Sequence, residues 1–295
     1  MSKRTWALLA ATFVSIIYGV TFTIAKDVMP TFIEPFGFIL LRVGGSVLLF
    51  WIVSFLGPKE KIAKSDFPRI VAAAFFGVAL NMLLFFKGLS YTSPIMGAVL
   101  MVTTPMIVLI LSAILMKEKM KKLKILGIIL GLLGTVSLIL YGKSVINAPN
   151  EMLGNLLVFI NAISYGFYLI IVKKLMDKYN AFTFVKWIYT FGFLMVLPFG
   201  WSEFEAINWA VIPNDIYLKI GFVVIFSTFL TYLLNLISMR ELKPTTVAVF
   251  IYLQPVFATI FAISLGKDDL SWIKIGSAIL IFAGVYLVTQ KKSVQ

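Results

Sequence analysis

The chain of 295 residues contains no cysteine and no histidine, and only 13% of its residues are charged. Without cysteine the protein can form no disulfide bond and has no thiol nucleophile, and it also lacks the usual nitrogen and sulfur ligands of zinc. No HExxH motif is present either. The composition therefore predicts neither an enzyme of the common classes nor a bound metal or other cofactor.

What the chain has in excess is apolar residues, which make up 60% of it and give a mean hydropathy of +0.99. Soluble domains are about 45–50% apolar. The apolar residues form runs of about 20, the length of a membrane-spanning helix. The ten predicted spans are Thr5–Ala25, Phe36–Leu56, Ile70–Ser90, Ile95–Met116, Ile125–Tyr141, Met152–Leu175, Phe182–Trp201, Ile216–Met239, Thr245–Leu265 and Trp272–Thr289. We therefore predict an all-α integral membrane protein with ten transmembrane helices and no soluble domain.

The positive charges indicate an orientation. Placing the N-terminus in the cytoplasm puts 18 lysines and arginines on the inner side and 6 on the outer side. Cytoplasmic loops are enriched in lysine and arginine. We therefore predict a multi-pass protein of the inner (plasma) membrane with both termini in the cytoplasm. The net charge of +13 is then explained by contact with the lipid bilayer and calls for no nucleic-acid partner.

The sequence also repeats itself. Tyr18-Gly19, followed by Lys26, recurs as Tyr165-Gly166, followed by Lys173, at an offset of 147 residues. Pro94 and Pro105 recur as Pro244 and Pro255 at an offset of 150 residues. We predict two repeats, residues 1–147 and 148–295, with five helices each. An odd number of helices inverts the second repeat, and inverted repeats around a central site are typical of secondary transporters.

These repeated motifs resemble the drug/metabolite transporter superfamily, and within it the chain looks like a bacterial EamA-type exporter. The resemblance rests on two motifs: the YG-x6-K segment in the first helix of each repeat and the P-x10-P segment in the fourth helix of each repeat. The resemblance implies two inverted five-helix repeats and a central cavity lined by the first, third and fourth helix of each. It also implies dimer contacts through helices 5 and 10, so we expect that a homodimer can form. Arg42 departs from the repeat, since it aligns with Tyr189.

Polar residues inside the spans are candidates for substrate contact, because a polar side chain in a membrane helix tends to face the protein interior or a cavity. Asn161, Ser164, Tyr165 and Tyr168 fall on one helix face, and Thr228, Thr231, Tyr232 and Asn235 on another. The alternative is interhelical hydrogen bonding that holds the bundle together. The predicted substrate-binding residues are Tyr18, Asn81, Thr104, Asn161, Tyr165, Tyr168, Thr231, Tyr232, Asn235, Tyr252 and Gln254.

Two cations and two prolines within the spans have competing interpretations. Arg42 either binds a substrate carboxylate or partners a structural group, and Lys87 either gates the outer side or extends to the interface. Pro105 and Pro255 each free a carbonyl one turn earlier and act either as hinges or as fixed bends. A contact or gate at Arg42 and Lys87 and a hinge at Pro105 and Pro255 are therefore hypotheses.

No Asp, Glu or His lies in the central part of any span, whereas proton-coupled pumps usually carry such a relay. We therefore predict a facilitator or exporter of small neutral or zwitterionic metabolites, with amino acids favoured, that works by alternating access. Exporters of sugar-nucleotide, nucleoside-like or drug-like metabolites are the alternatives, as is a proton-coupled antiporter that uses the boundary residue Glu118. An intramembrane enzyme and a receptor or scaffold are disfavoured, because catalytic motifs and long loops are missing.

Overall fold

The computed structural model describes residues 2–91, 100–119, 121–140, 150–264 and 272–289, and every regular element in these ranges is helical. In the first half the helices are α1 (Lys3–Val28), α2 (Pro35–Ser54), α3 (Phe67–Ala74, the π-helical Phe75–Ala79 and Leu80–Tyr91), α4 (Thr104–Leu115) and α5 (Lys122–Leu140). In the second half they are α6 (Glu151–Met176), α7 (Ala181–Glu205), α8 (Asn214–Phe222, the π-helical Val223–Leu230 and Thr231–Glu241), α9 (Pro244–Val249, the 3-10 turn Phe250–Tyr252 and Leu253–Ser264) and α10 (Trp272–Thr289).

The all-α class predicted from the sequence is confirmed for the described part of the chain. Seven of its helical segments are long and apolar enough to cross a membrane, and α4 and the segment Ile275–Thr289 are shorter apolar helices. That all ten predicted helices cross the bilayer stays a prediction.

Contacts at one end of the bundle bring the start of α1 and the end of α10 together. Arg4 donates a hydrogen bond to the carbonyl of Thr289. Ser238, near the end of α8, donates to the carbonyl of Ala7 at 3.0 Å. We call this end, where most of the lysines lie, the basic end. The structure thus gathers these charges as their distribution predicts, while the assignment of this end to the cytoplasm stays a prediction.

The second helices of the two halves, α2 and α7, cap one another. Near the end of α7, Glu203 accepts hydrogen bonds from the backbone N–H groups of Phe36 (2.6 Å) and Gly37 (2.9 Å) in the first turn of α2. Just beyond α2, Glu60 accepts one from the backbone N–H of Asn180, at 2.8 Å, where α7 begins. A helix start carries unpaired N–H groups and partial positive charge, so a carboxylate stabilises it. At each end of this antiparallel pair, a glutamate carboxylate therefore stabilises a helix start in the same way.

The last helices of the halves, α5 and α10, pack through glycines. A Cβ on Gly127 would lie 2.7 Å from the carbonyl oxygen of Gly284, and a Cβ on Gly284 would lie 2.6 Å from the backbone nitrogen of Gly131. Small residues allow such close approach of helix backbones. In the single chain these glycines contact each other, so a dimer through the same helices stays a prediction and would use their other faces.

Four predicted helices, α3, α4, α8 and α9, are interrupted where the sequence predicts continuous spans. The π-helical segments of α3 and α8 begin 148 residues apart, at Phe75 and Val223. α9 tightens into a 3-10 turn just before the segment that contains Pro255. Sequence periodicity assumes 3.6 residues per turn, and inserted π or 3-10 turns are not visible to it.

The predicted prolines take different positions. Pro105 lies at the second position of α4, after a turn at residues 102–103, and not inside a continuous helix as predicted. Pro244 opens α9, as expected of a proline in the first helical turn. Pro94 lies outside the described residues. The helix break before Pro105 and the 3-10 turn before Pro255 agree with a hinge or a bend, and the hinge stays a prediction.

Candidate functional site

Polar and aromatic side chains meet in the middle of the bundle, where α1, α2, α6, α7 and α8 come together. We call this group the central cluster. It consists of Tyr18, Arg42, Tyr165, Tyr168, Tyr189 and Tyr232. Both halves of the chain contribute to it, since α1 and α2 belong to the first half and the others to the second. It therefore lies where a binding site between two repeats is expected.

The cation of the cluster is Arg42, which is 6% exposed. Its Nε donates a hydrogen bond to Oγ1 of Thr228 at 3.0 Å, and its guanidinium carbon lies 5.1 Å from the centre of the Phe86 ring. The hydroxyls of Tyr18 and Tyr232 are among its electrostatic neighbours. Among the described residues no carboxylate lies within 4.0 Å of it, and its two terminal nitrogens make no hydrogen bond. The charge is thus buried without a counter-ion in the described part of the chain.

The tyrosine rings form a connected group. The ring centres of Tyr165 and Tyr168 are 5.9 Å apart, those of Tyr168 and Tyr232 are 6.0 Å apart, and those of Tyr189 and Tyr232 are 5.1 Å apart. The buried hydroxyls of Tyr168 and Tyr189 have no hydrogen-bond partner among the described residues. A buried hydroxyl without a partner is costly, so these two groups are available to a ligand or to water.

The irregular turns of α3 and α8 supply carbonyls to side chains around the cluster. Tyr232 donates to the carbonyl of Gly77 at 2.8 Å, and Thr228 donates to the carbonyl of Val223, five residues earlier, at 2.8 Å. Ser164 of α6 donates to the carbonyl of Phe76 at 2.7 Å. Such turns disturb the regular backbone ladder, and side-chain donors can satisfy the displaced carbonyls. The π-helical segments thus help to position the cluster.

The polar stripe of α6 is partly used for packing. Asn161 donates through Nδ2 to the carbonyl of Asn81 at 2.6 Å, while its Oδ1 has no partner among the described residues. Together with the bond of Ser164, this contact ties α6 to α3. The alternative of interhelical hydrogen bonding therefore accounts for Ser164 and for one side of Asn161, and the other side of Asn161 is left for a ligand.

The remaining polar positions near the cluster differ in their bonding. Thr231 donates to the carbonyl of Ser227 at 2.7 Å and lies next to Tyr18. Asn235 is 7% exposed, and its side chain makes no hydrogen bond to another described residue. The hydroxyl of Thr104, at the start of α4, is buried and has no partner in the described ranges.

Two predicted residues, both in α9, are not members of the central cluster. Tyr252 belongs to a second apolar cluster with residues of α5 and α10, and a Cβ on Gly131 would lie 2.3 Å from its ring. Gln254 is half-buried, and its backbone carbonyl oxygen lies against Gly19 of α1. The ring of Tyr252 therefore packs apart from the tyrosines of the central cluster, whereas the backbone of Gln254 lies against Gly19, the neighbour of Tyr18.

Lys87 lies toward the end of α3 that is remote from the basic end. Its ammonium is 4.8 Å from the centre of the Tyr91 ring and 5.5 Å from that of Phe36. Cations over aromatic faces are stabilised by the ring quadrupole. This position agrees with a lysine that extends toward the interface, as the simpler interpretation of the sequence predicts.

Glu118 forms a separate ionic group at the basic end. Its carboxylate, 6% exposed, lies 2.5 Å from the ammonium of Lys124 and 3.4 Å from that of Lys243. Burial lowers the pKa of Lys124, and its hydrogen bond to Glu118 acts in the opposite direction. The group connects the α4–α5 connection to the start of α9. Elsewhere in the described ranges no three histidine, cysteine, aspartate or glutamate side chains come close enough to hold a metal ion.

Sequence reasoning missed Tyr189 as a member of the site. Its alignment with Arg42 at the 147-residue offset was the available signal, since a position occupied by a cation in one repeat and by a tyrosine in the other is unusual inside a membrane helix. Phe86, which covers the guanidinium, carried no such signal because it looks like any apolar residue of a span.

Comparison with known proteins adds to this geometry. The model of the EamA-like transporter family matches residues 5–140 and, a second time, residues 152–290. The chain belongs to the EamA-like transporter family. An uncharacterized transporter of Archaeoglobus fulgidus is 28% identical over 293 residues, which cover 98% of this chain and 100% of the relative. The uncharacterized transporter YetK of Bacillus subtilis is 25% identical over 232 residues, 78% of this chain and 70% of the relative.

A solved crystal structure has the same fold as this EamA-family chain. Its TM-score is 0.78 at 16% sequence identity, and the superposition covers 97% of each chain. The resemblance to the drug/metabolite transporter superfamily and to EamA-type proteins is thus confirmed. This EamA-family protein is a multi-pass membrane transporter, and its relatives carry the name of transporters.

Proposed function

We propose that this EamA-family protein carries small zwitterionic metabolites with a carboxylate, amino acids above all, and that the central cluster binds them. The observation that carries the proposal is Arg42, a buried cation with no carboxylate within 4.0 Å among the described residues. The substrate carboxylate supplies the missing counter-ion. The proposal also includes export from the cytoplasm across the inner membrane.

The energetics favour a ligand at this position. An arginine at the centre of a membrane helix costs about 2.5–3.5 kcal/mol on insertion scales. The bond from Nε to Thr228 and the stacking on Phe86 offset part of that cost, but they leave the fork of terminal nitrogens unused. A guanidinium fork matches a carboxylate with two parallel hydrogen bonds. A carboxylate ligand therefore supplies the hydrogen-bond acceptors that the two terminal nitrogens of Arg42 lack among the described residues.

The tyrosines suit the other end of a zwitterion. Tyr165, Tyr168 and Tyr232 present ring faces next to one another, and an ammonium group is attracted to such faces. The hydroxyls of Tyr168 and Tyr189 lack partners in the described part of the chain and can accept hydrogen bonds from an ammonium. A phosphorylated substrate would need more positive charge than Arg42 supplies, because Lys87 lies at the far end of α3 over Phe36 and Tyr91.

Alternating access fits the position of the cluster. It lies between the halves of the chain, and the third helix of each half contains a π-helical segment that contacts it. Interrupted helices around a central site are typical of secondary transporters, where one repeat moves against the other. Pro105 and Pro255 are proposed as the hinge positions because each closely follows an irregular turn in the fourth helix of its half.

Flux into liposomes tests the proposal. Purified protein is reconstituted, and uptake of labelled amino acids is measured with and without a pH gradient, in the wild-type protein and in Arg42→Met. We expect gradient-independent uptake of particular amino acids, which Arg42→Met reduces about thirtyfold or more, since removal of one partner of a buried charge pair costs about 2–5 kcal/mol. Lys87→Met is the matched control and is expected to keep uptake within a few-fold.

Analogues of the transported amino acid that lack the carboxylate sharpen the test. The wild-type protein is expected to prefer the amino acid over the corresponding amine, and Arg42→Met to lose this preference. Equal uptake of both by the wild-type protein would refute the role of Arg42. If no amino acid is carried, phosphorylated and nucleoside-like metabolites are the next class to measure.

A proton-coupled antiporter is the second candidate, and the burial of Glu118 favours it. This carboxylate is 6% exposed and lies between Lys124 and Lys243, at the boundary of the predicted spans. If uptake requires a pH gradient in the wild-type protein and loses that requirement in Glu118→Gln, coupling through Glu118 replaces facilitated transport.

A further inference from the structure

A cavity at the basic end is separate from the central cluster. It has a volume of about 530 Å³ and lies between the end of α2, the α2–α3 connection and the start of α7. Its lining includes three cations, Lys59, Lys61 and Lys186, and the aromatic residues Phe55 and Trp187. Lysines beside aromatic side chains at the end of a membrane helix bundle fit a ligand other than the transported substrate.

The charge in the cavity is positive and largely unpaired. Glu60 is the acidic residue among the described residues that line it, and its carboxylate accepts hydrogen bonds at 2.8 Å from the start of α7. Lys59 and Lys61 are exposed and make no ion pair within the described ranges. The ammonium of Lys186 lies 4.5 Å from the centre of the Trp51 ring and 3.3 Å from Oγ of Ser54. The lining therefore favours an anion.

The described residues that line the cavity include no member of the central cluster. Trp187 and Tyr189 are two positions apart on α7, about 200° around the helix at 3.6 residues per turn. Tyr189 contacts Tyr232 in the cluster, whereas Trp187 contacts Trp51 and Phe67, with ring centres 5.3 and 5.7 Å apart. A ligand in this cavity would therefore not occupy the transport site.

An apolar surface continues from the cavity along α2. Leu48, Ile52 and Phe55 are 67%, 62% and 81% exposed, and their spacing places them on one face of the helix. In a membrane protein such a face contacts acyl chains, and tryptophans such as Trp187 are common at the depth of the headgroups. The cavity is thus lined by the exposed lysines Lys59 and Lys61 and lies next to an exposed apolar face of α2.

We propose that this cavity binds the phosphate of an anionic phospholipid headgroup, whose acyl chains lie along Leu48, Ile52 and Phe55. Basic pockets between transmembrane helices bind such headgroups, and each lysine near the surface contributes about a fivefold gain in affinity. Lys186 holds the phosphate from α7, while Lys59 and Lys61 approach it from the α2–α3 connection. The site ties the end of α2 to the start of α7.

Thermal melting with added lipid tests this site on the full-length protein in a neutral detergent. The wild-type protein is titrated with phosphatidylglycerol, with phosphatidylcholine and with inorganic phosphate, since a ligand that binds the folded state raises the midpoint. We expect phosphatidylglycerol to raise the midpoint and the other two to leave it unchanged. In Lys59→Gln/Lys61→Gln/Lys186→Gln the half-saturating concentration is expected to rise about a hundredfold.

The matched control is Lys119→Gln/Lys121→Gln/Lys122→Gln, which removes the same charge from exposed positions at the same end of the bundle. It is expected to respond as the wild-type protein does, and an equal loss in both triple variants would overturn the proposal in favour of diffuse attraction. A shift with inorganic phosphate alone would overturn the lipid as the source of the anion. Because Lys59 and Lys61 are exposed, Lys59→Gln/Lys61→Gln tests the site if the triple variant does not fold, with about a 25-fold rise expected.

Discussion

The two halves of this EamA-family chain share irregular backbone but differ in the side chains they bring to the centre. α3 and α8 contain π-helical segments that begin 148 residues apart, and α4 and α9 are interrupted near Pro105 and Pro255. The start of α2 is held by Glu203 near the end of α7, and the start of α7 is held by Glu60, in the connection that follows α2. The duplicated feature is thus the set of places where a helix departs from regular geometry.

The chemistry is not duplicated. Arg42 of α2 aligns with Tyr189 of α7, and both are buried in the central cluster. Three further tyrosines of the cluster, Tyr165, Tyr168 and Tyr232, come from the second half, and Tyr18 comes from the first. A positive pole on one side and aromatic faces on the other give a zwitterion one preferred orientation. The two halves are thus similar in where their helices are interrupted and different in the side chains that they place in the central cluster.

Replacing Arg42 by tyrosine, the residue type at the aligned position 189, is expected to have the largest effect on transport. Arg42→Tyr should lower kcat/KM for amino acid uptake about thirtyfold or more, because the carboxylate partner is lost. The thermal midpoint should stay equal or rise, because a buried cation without a counter-ion is removed. Uptake kinetics and melting of the same preparation check both. A large fall in the midpoint would identify Arg42 as a structural partner instead.

Two glycines, Gly77 in the π-helical segment of α3 and Gly221 just before that of α8, are expected to differ in their tolerance of a methyl group. A Cβ on Gly77 would lie 2.1 Å from the buried ring of Tyr168, whereas a Cβ on Gly221 would have nothing within 4 Å. Gly77→Ala should destabilise the protein by about 1–3 kcal/mol through overpacking, and Gly221→Ala should leave stability equal or raise it. Thermal melting of the pair measures this, and similar midpoints for both variants would contradict it.

Two tyrosine hydroxyls of the cluster provide a smaller contrast. Tyr232→Phe removes the bond to the carbonyl of Gly77 and should cost about 0.5–1.5 kcal/mol of stability. Tyr189→Phe removes a hydroxyl that has no partner among the described residues and should be neutral or slightly stabilising. Denaturation midpoints compare the two. A greater loss in Tyr189→Phe would mean that this hydroxyl has a structural partner.

The smallest expected effects concern the reciprocal caps. Glu203→Gln and Glu60→Gln each remove a negative charge from a helix start and should each cost about 0.3–1 kcal/mol. The two losses should be of similar size, because each carboxylate accepts two hydrogen bonds at a helix start, although one donor to Glu60 is the hydroxyl of Thr183 and not a backbone N–H. Hydrogen exchange of the first turns of α2 and α7 measures them, and a loss at one helix start alone would show that the equivalence is only geometric.

Much of the architecture was predictable because it depends on local composition. Apolar runs identified helices whose bounds in the structure lie within a few residues of the predicted ones, as for α6 and α7. The repeat of Tyr18-Gly19 as Tyr165-Gly166 agrees with the two matches to the family model. The polar stripes pointed to Tyr165, Tyr168 and Tyr232, which the structure brings together.

Other features could not be predicted from spacing. Tyr252 looks like Tyr232 in sequence, yet it is the last residue of the 3-10 turn in α9 and packs against Gly131 of α5, and spacing within one helix does not predict such a turn. The sequence predicts Asn161 as a substrate-binding residue, but its side-chain amide donates one hydrogen bond to the backbone of α3. The cavity at Lys186 arises from two stretches that are distant in sequence, residues 54–67 and residues 183–187.

The sequence by itself determined that this is a helical membrane protein built from two related halves, because hydropathy and repetition are properties of the chain alone. Only the tertiary structure decided that Arg42 lies among tyrosines without a carboxylate nearby in the described ranges, and that α3 and α8 carry matching π-helical turns. The physical reason is that burial and hydrogen-bond satisfaction depend on which helices meet, and at what rotation, and no period within one helix encodes that.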